Sequence, residues 1–420
     1  MIVVSARGEE IAKRLASAGF AEGLELVVQD PPRGTGDAVR VALDESGIGD
    51  GTVLVTPGDT PLLTTATLQE LLDAHHAAGA GVTVLTADMP DASGYGRVVR
   101  GEGSGIARIV EDRDATAAER AVSEVNAGVY AFDVSTLREV IGGVHNDNAQ
   151  GEYYLGDVLT LIAGRGRPVV AVKTGHEEIA GVNSRAQLAE VAAALRKRAA
   201  LHWMSEGVTI VDPATTYIDA SVRIAPDATI LPFTFLEGDT EIGAGAEIGP
   251  QARLVDTQVG EGASVTFSVV RESVIGPDAS VGPFASLRPG TRLERGARAG
   301  TFVETKNTTI GEGSKANHLS YLGDAEIGRG VNVGAGTITC NWDGRNKHKT
   351  VIEDEAYIGS DTMIVAPARI GRRAATAAGS VVKGDVPDEA LAVGAPARII
   401  EGKGNRMEPR PAAEESGPAG

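Results

Sequence analysis

The chain has 420 residues and carries 39 Lys and Arg against 57 Asp and Glu, which gives a formal net charge of −18. So acidic a chain repels the phosphate backbone, and we do not expect nucleic acid as a partner. The sequence shows no membrane span and no secretory signal, and its single cysteine, Cys340, has no internal partner for a disulfide. We therefore expect a protein of two or three domains in the cytoplasm.

The first 184 residues alternate short apolar runs with helical patterns. The expected elements are a strand at 1–5, a helix at 9–18, a strand at 24–29, a helix through 39–43, a strand at 52–56, a helix at 65–78, and strands at 82–86 and 129–132. This alternation predicts a doubly wound, Rossmann-like α/β domain with a parallel sheet and crossover helices. The pattern starts at Met1 without a cap or turn, as if already inside a fold.

Polar residues follow several of these strands, at the edge where α/β sheets bind ligands. Asp59 ends one strand, although it has the alternative role of capping the next helix. The glycine-rich loop at 33–37 offers free backbone N–H groups to a nucleotide. Three other segments bring polar groups to the same edge, at 94–97, 109–112 and 124–128.

A helical segment at 185–206 follows this domain. Its spaced apolar residues are Leu188, Val191, Leu195 and Leu201. They predict an amphipathic helix. It is either a linker between domains or a helix wholly within the first domain.

From residue 207 to 401 an aliphatic residue recurs at every sixth position. The runs are Ile218, Ile224, Ile230, Leu236, Ile242, Ile248, Leu254; Ile275, Val281, Leu287, Leu293; Ile310, Ala316, Leu322; Ile327, Val333; and Ile352, Ile358, Ile364, Ile370. Each hexapeptide is one strand and a turn, and three close a coil of about 18 residues in a parallel β-helix. The break in period at 339–350 predicts a projecting functional loop. The segment 402–420 has the composition of a disordered tail.

Particular motifs carry a close resemblance to one enzyme family over nearly all of residues 1–398. They are QDPPRGTGDA, TPGDTPLL, SGYGRVV, IVEDRDAT, EVNAGVYAF, GEYYLGDVL and IAGVNSRAQL, followed by FASLRPG, FVETKN, KANHLSYLGDAEIG and NVGAGTITCNWDG. These stretches resemble the bifunctional N-acetylglucosamine-1-phosphate uridylyltransferases and glucosamine-1-phosphate acetyltransferases.

The resemblance implies a domain for each reaction. A uridylyltransferase domain at 1–184 would join UTP to N-acetylglucosamine 1-phosphate, giving UDP-N-acetylglucosamine for the cell wall and pyrophosphate. After the helix at 185–206, a left-handed parallel β-helix at 207–401 would acetylate glucosamine 1-phosphate with acetyl-CoA. The family also implies Mg²⁺ and a homotrimer whose active sites are shared between neighbouring chains.

The resemblance assigns site residues to both halves. In the first half, the residues implied to bind nucleotide or sugar are Gln29, Gly34, Thr35, Gly58, Asp59, Gly96, Glu111, Asn126 and Asn183, with Asp59 and Asn183 holding Mg²⁺. In the second half, those implied to bind the sugar phosphate are Arg288, Lys306, Tyr321 and Asn332, with Lys347 a further nearby cation. Those implied to bind acetyl-CoA are Ala335, Asn341, Trp342, Ser360, Ala378 and Arg398, the last as a substitute for a basic residue at the slot of Ala395.

His318 is the expected general base, because an imidazole can accept a proton from the substrate amine at neutral pH. Glu304 is a candidate for orienting its ring. Cys340 suggests a covalent acyl-cysteine as an alternative to direct transfer.

The family's glycine-rich phosphate loop, with its Arg and following Lys, has no counterpart in this sequence. Two explanations stay open: a misassigned start of the chain, or an inactive first domain. The second would leave a monofunctional acetyltransferase. In a third reading, the β-helix only holds a trimer together.

Overall fold

A computed structural model describes residues 1–4, 8–17, 19, 23–101 and 105–405. The chain divides into two compact units, Met1–Ala192 and Ala193–Gly420. Ser5 and Ala18, at the ends of an expected strand and helix, lie outside the described residues, as do residues 406–420 of the expected tail. None of the helices in the described part of the chain is long and apolar enough to cross a membrane.

The first unit contains short strands and helices in alternation. Its strands are β1 Ile2–Val4, β2 Leu26–Val28, β3 Thr52–Val55, β4 Val82–Asp88, β5 Arg97–Arg100, β6 Ile106–Val110, β7 Glu124–Asp133 and β8 Val169–Thr174. Its helices are α1 Gly8–Ser17, α2 Thr35–Ser46, α3 Thr65–Ala78, α4 Ala117–Arg120, α5 Val134–Val140 and α6 Val158–Gly164, with 3₁₀ turns at Ile141–Gly143, Leu155–Asp157 and His176–Ile179.

Helix α3 begins and ends where its sequence predicts. The Thr64 hydroxyl accepts a hydrogen bond from the Thr67 N–H (3.2 Å), which satisfies a donor that the first turn leaves free. At the other end, Gly79 adopts φ 53° and its N–H returns to carbonyls of the last turn.

The main sheet is mixed rather than purely parallel, which corrects the expectation for this domain. Strand β7 lies between β3 and β4 and runs antiparallel to both, while β4 pairs with β8 in parallel. Strands β3 and β4 are thus parallel to each other but not adjacent. Alternation along the sequence cannot show this, because β7 enters the sheet from much later in the chain. Strands β1 and β2 form a separate parallel pair.

Helix α7, Arg185–Ser205, contains the point at which the two units divide. The predicted apolar stripe is wrong in part, because Leu188, Leu195 and Leu201 are exposed and only Val191 is buried. Ala200 and Trp203 instead pack against the core of the second unit. Ala200 and Trp203 lie off the predicted stripe because the buried side of the helix is determined by the core against which it packs, and not by the helix period alone.

The second unit is a parallel β-solenoid. Its strands β9 to β37 run, in order, Thr209–Ile210, Tyr217–Ile218, Arg223–Ile224, Thr229–Ile230, Phe235–Glu237, Glu241–Ile242, Glu247–Ile248, Arg253–Val255, Gln258–Val259, Ser264–Val265, Val269–Arg271, Val274–Ile275, Ser280–Val281, Ser286–Leu287, Arg292–Leu293, Arg298–Lys306, Thr309–Ile310, Lys315–Gly323, Ala325–Ile327, Asn332–Val333, Ile338–Cys340, Thr350–Ile352, Tyr357–Ile358, Met363–Val365, Ala368–Ile370, Ala375–Thr376, Val381–Lys383, Leu391–Val393 and Arg398–Ile400.

The hexapeptide residues form the solenoid core, as predicted. Ile218 pairs with Leu236 and Ile224 with Ile242, one coil further on, so identical positions stack. Every residue of the predicted series is buried except Ile218, which is partly buried at the first coil. The turns between strands leave buried hydroxyls at more than one corner, and Thr240 and Thr337 each donate to a carbonyl three residues before them (2.7 Å each). These bonds satisfy hydroxyl groups that would otherwise be buried without a hydrogen-bond partner.

Two departures from the period are informative. Between β29 (Ile338–Cys340) and β30 (Thr350–Ile352) the chain leaves the solenoid as an exposed loop, as predicted. The predicted disordered tail, however, starts too early. Gly404 N–H donates to the Glu389 carbonyl (2.6 Å) and Asn405 N–H to the Arg373 carbonyl (2.7 Å), because the chain still follows the last coils.

Candidate functional sites

The glycine-rich loop before α2 lies against a distant segment of the first unit. Gly34 has φ 108°, and a Cβ at this position would lie 2.7 Å from the carbonyl oxygen of Tyr153. The Thr35 hydroxyl accepts the N–H of Leu155 (3.1 Å). The motifs QDPPRGTGDA and GEYYLGDVL, which both carry the family resemblance, therefore meet here. Only glycine fits the backbone at Gly34.

Gln29 is buried beside this loop. Its side-chain amide donates to the Gly34 carbonyl (3.1 Å) and to the Asp37 carboxylate (2.8 Å), and Asp37 also accepts from Arg40 (2.5 Å). Burial alone would raise the pKa of Asp37, but the hydrogen bonds from Gln29 and Arg40 keep it below its usual value. The amide that we expected to contact the nucleotide base is thus held by the loop itself.

Gly96, Glu111 and Asn126 converge at the end of the main sheet. The Asn126 N–H donates to the Gly96 carbonyl (2.8 Å), and a Cβ on Gly96 would lie 3.0 Å from Glu111 Oε1. The Asn126 side chain accepts from the Gly128 N–H (3.0 Å) and donates to the Tyr130 hydroxyl (2.6 Å). The Gly96 backbone therefore lies next to both the Glu111 carboxylate and Asn126, so three of the residues implied to bind the sugar are neighbours.

Glu111, the acid of this group, has a raised pKa. Burial raises its pKa, and the neighbouring carboxylates of Asp157, Asp114 and Asp112 raise it further. Burial also raises the pKa of Asp157, with Asp114 adding to it. Acids with perturbed pKa values are typical of functional sites.

Asp59 and Asn183, the pair that the resemblance implies for Mg²⁺, both lie beside Gly181. A Cβ on Gly181 would lie 3.7 Å from the Asn183 side-chain nitrogen and 3.8 Å from Asp59 Oδ2, and the Val182 N–H donates to the Asp59 carbonyl (2.9 Å). Both side chains are exposed, as is Gly58. Within the described residues, no group of three or more His, Cys, Asp or Glu could hold a metal.

The second unit gathers cations at one corner. Lys306 ends β24 (Arg298–Lys306), and its pKa is lowered first by the adjacent Lys347 side chain and then by Arg288. Arg288 Nη1 lies 2.8 Å from Glu304 Oε1, with both side chains nearly half exposed. Three positive charges thus meet on a chain whose net charge is −18.

Tyr321 and Asn341 lie next to this corner. A Cβ on Gly323 would fall 2.5 Å from the Tyr321 hydroxyl and 2.7 Å from the Asn341 side-chain nitrogen. Asn341 is buried and donates to Asp324 (2.6 Å). A cleft of about 330 Å³ is lined by Asp324, Lys347 and His348 among other residues, although not by Tyr321 or Asn341 themselves. Its volume is in the range of small-ligand sites.

His318 occupies a different corner of the solenoid. It is exposed, and on the paired strands it lies opposite Thr301, whereas Glu304 lies opposite Tyr321. The hypothesis that Glu304 orients the His318 ring is therefore wrong in this structure, because Glu304 is opposite another residue and bonds Arg288.

Three of the residues expected at acetyl-CoA follow His318 on successive coils. Gly336 N–H donates to the Leu319 carbonyl (2.7 Å), Asp361 N–H to the Ala335 carbonyl (2.6 Å) and Gly379 N–H to the Ser360 carbonyl (2.8 Å). This ladder aligns Ala335, Ser360 and Ala378 on one edge.

The other expected residues are more spread out. Trp342 is exposed on the inserted loop, Asn332 stacks between Lys315 and Tyr357, and Arg398 lies on the terminal strand β37 opposite Val393. Burial raises the pKa of the Cys340 thiol, which disfavours the thiolate that a covalent acyl-enzyme needs.

Sequence reasoning missed Asp324 and Asn307 as members of the cationic corner. The Asn307 side chain donates to Asp324 (2.8 Å), and Asp324 also faces Lys347 and Lys306. Neither residue is unusual by itself. The hexapeptide repeat could have found Asp324, because it places this residue one coil after Lys306. In the structure the Asp324 N–H donates to the Lys306 carbonyl.

An α/β unit followed by a parallel β-solenoid with a cationic corner fits a two-domain transferase. A family model described as nucleotidyl transferase matches residues 1–204. Proteins named bifunctional protein GlmU match nearly the whole chain. The protein of Streptomyces avermitilis is 49% identical over 99% of this chain and 87% of its own length. That of Thermobifida fusca is 50% identical over 99% and 87%, and that of Kineococcus radiotolerans 51% identical over 96% and 82%.

The chain therefore belongs to the bifunctional GlmU family. It is a bifunctional acetyltransferase and uridylyltransferase of UDP-N-acetylglucosamine synthesis, and the reading as a monofunctional acetyltransferase is not favoured.

Proposed function

We propose that the solenoid at 207–401 acetylates glucosamine 1-phosphate with His318 as the general base, and that the domain at 1–184 then transfers uridylyl from UTP with Mg²⁺ held by Asp59 and Asn183. The observation that carries the first assignment is the corner where Arg288, Lys306 and Lys347 meet. On an acidic chain, such a corner is suited to a phosphate, because charge-assisted hydrogen bonds to phosphate are strong and directional.

The acetyl transfer is a direct displacement. The neutral 2-amino group of the sugar attacks the thioester carbonyl carbon, so that an N–C bond forms and the C–S bond breaks. His318 accepts the proton that the nitrogen loses, and coenzyme A leaves as a thiolate. Tyr321 and Asn332 would bind the sugar. Ala335, Asn341, Trp342, Ser360, Ala378 and Arg398 would line the coenzyme.

A homotrimer with shared sites would let neighbouring chains complete each acetyl-transfer site. His318 lies at one corner of the solenoid, and Gly323, which pairs with Lys306, lies five residues further along the same strand, toward the next corner. In such a trimer, a second copy would bring its own cationic corner to His318.

The uridylyl site fits Mg²⁺ by the chemistry of its donors. Asp59 and Asn183 supply hard oxygen atoms at an exposed edge, and Mg²⁺ commonly takes one or two protein ligands and fills its shell with water and substrate phosphates. When bound, the ion neutralises charge that develops on the phosphates. Gly96, Glu111 and Asn126 would hold the sugar, and Gln29, Gly34 and Thr35 the uracil. We place both reactions in the cytoplasm.

Matched variants test the two assignments in one protein. His318→Ala should lower acetyl transfer by roughly 10²- to 10⁴-fold, the usual worth of a general base, and leave uridylyl transfer unchanged. Asp59→Ala should lower Mg²⁺-dependent pyrophosphate release from UTP plus N-acetylglucosamine 1-phosphate and leave acetyl transfer unchanged. Near-normal acetyl transfer by the first variant would refute the base, and unchanged Mg²⁺ dependence in the second would refute the metal pair.

A further inference from the structure

The inserted loop at 341–349 brings Lys347 against two other cations. The Lys306 pKa is lowered by Lys347 and then by Arg288, so the three groups repel one another before any phosphate arrives. Lys347 is exposed, and the solenoid repeat gives it no strand of its own. Contacts within the loop must therefore hold Lys347 near Lys306 and Arg288.

Asp343 and His348 close the loop around Lys347. Asp343 Oδ1 accepts the backbone N–H groups of Arg345 and Asn346 (2.7 Å each), and Oδ2 lies 2.6 Å from His348 Nε2. The backbone of Trp342 also bridges to that of Lys347. Hydrogen bonds from the Asn346 N–H, His348 and the Arg345 N–H hold the pKa of Asp343 at about 2, so this acceptor stays charged at neutral pH.

A second anchor ties the base of the loop to the solenoid. The His348 N–H donates to the Asn341 carbonyl (2.8 Å), and the Asn341 side chain donates to Asp324 (2.6 Å). Burial would raise the pKa of Asp324, but hydrogen bonds from Asn307 and Asn341 and the charges of Lys347 and Lys306 lower it. The residue that follows Lys347 is therefore fixed at its backbone and its ring.

We propose that His348 is a positioning residue for the phosphate subsite: by bonding Asp343 across the loop, it holds Lys347 beside Lys306 and Arg288 before the substrate binds. The inference rests on the proposed role of these cations in binding the sugar phosphate. A cation already in place does not have to be ordered by the ligand, and such preorganisation increases affinity. In this role His348 acts through its bond to Asp343 and through the position of Lys347.

The expected effect falls on substrate binding rather than on the chemical step. In His348→Ala the loop loses the contact between the His348 ring and Asp343, so Lys347 would lie beside Lys306 and Arg288 only part of the time. KM for glucosamine 1-phosphate should therefore rise about three- to tenfold. The kcat should stay within about twofold, because His318 lies on another corner. His348→Gln should restore most of the loss, since its amide N–H can donate to Asp343.

A double-mutant cycle on the full chain separates positioning from a general loss of structure. The variants are His348→Ala, Lys347→Ala and the two combined, with KM for both acetyltransferase substrates and thermal unfolding as readouts. Asn346→Ala is the matched control, because this exposed side chain of the same loop makes no hydrogen bond within the described part of the chain. We expect the combined variant to match Lys347→Ala alone and the control to match the unmodified enzyme.

Distinct outcomes overturn the inference and the proposed function. A raised KM in Lys347→Ala with no change in His348→Ala would overturn the positioning role and leave the phosphate corner standing. Additive losses in the combined variant would also overturn it, as would an equal loss in Asn346→Ala. No change in Lys347→Ala would remove Lys347 from the phosphate corner, and the inference would fall with it.

Discussion

Arg288→Ala is the sharpest test of the phosphate corner, because the structure gives this arginine a partner. Arg288 lies 2.8 Å from Glu304, so removing the guanidinium also leaves a carboxylate without its counter-ion. The substrate phosphate would then lose one charge-assisted contact and face an unpaired negative charge. Both changes weaken the binding of glucosamine 1-phosphate, and neither concerns acetyl-CoA.

The two contributions have different sizes. A hydrogen bond to a charged group contributes about 1.5 to 3 kcal/mol. If the unpaired Glu304 carboxylate and one phosphate charge are taken to lie about 6 Å apart, they repel by roughly 0.7 kcal/mol, with the dielectric constant of water used because the Arg288 and Glu304 side chains are nearly half exposed. The sum of about 2 to 4 kcal/mol raises KM roughly 30-fold to several hundredfold, since about 1.4 kcal/mol corresponds to tenfold.

The repulsion can be measured separately. In the double variant Arg288→Ala with Glu304→Ala, KM should fall back by about threefold, which corresponds to the roughly 0.7 kcal/mol of the unpaired carboxylate. Initial-rate acetyltransferase assays with each substrate varied in turn would give both constants, and uridylyl transfer provides an internal control for folding. An equal rise in KM for acetyl-CoA would refute the placement. No recovery in the double variant would refute the role given to Glu304.

Three further predictions follow from burial and packing. Gly323→Ala should lower acetyl transfer by as much as about 10²-fold, because the new Cβ would displace the ends of the Tyr321 and Asn341 side chains, and uridylyl transfer should not change. Ile358→Ala, at a fully buried position, should destabilise the solenoid by about 2 to 5 kcal/mol in denaturant unfolding. Because the pKa of Glu111 is raised above 4.5 in the folded state, the folded protein keeps this proton at pH values where the unfolded chain has lost it. Ionising Glu111 therefore destabilises the folded state as the pH rises above 4.5. Glu111→Gln should therefore raise the melting temperature of the first domain at pH 7.5, and this gain should vanish toward pH 4.5; a pH-independent difference would contradict the assignment.

The solenoid could be predicted almost completely from the sequence. Its repeat places one aliphatic side chain inward in every hexapeptide, and a β-helix has only one way to stack such positions. The helix at 65–78 was equally readable, since Thr64 and Gly79 mark its ends with local hydrogen bonds. In both cases the information lies within a few residues of chain or in a regular period.

The order of strands in the first unit and the groups around each site needed the tertiary structure. Strand β7 inserts between β3 and β4 from about 70 and 40 residues further along the chain, a pairing that no local pattern encodes. The partners of Arg288, Lys306 and Lys347 lie on other coils, so their charges meet only when the coils are stacked. Residue types can be read from the sequence, but the distances that turn Glu304 into a partner of Arg288, and His348 into one of Asp343, depend on the folded backbone.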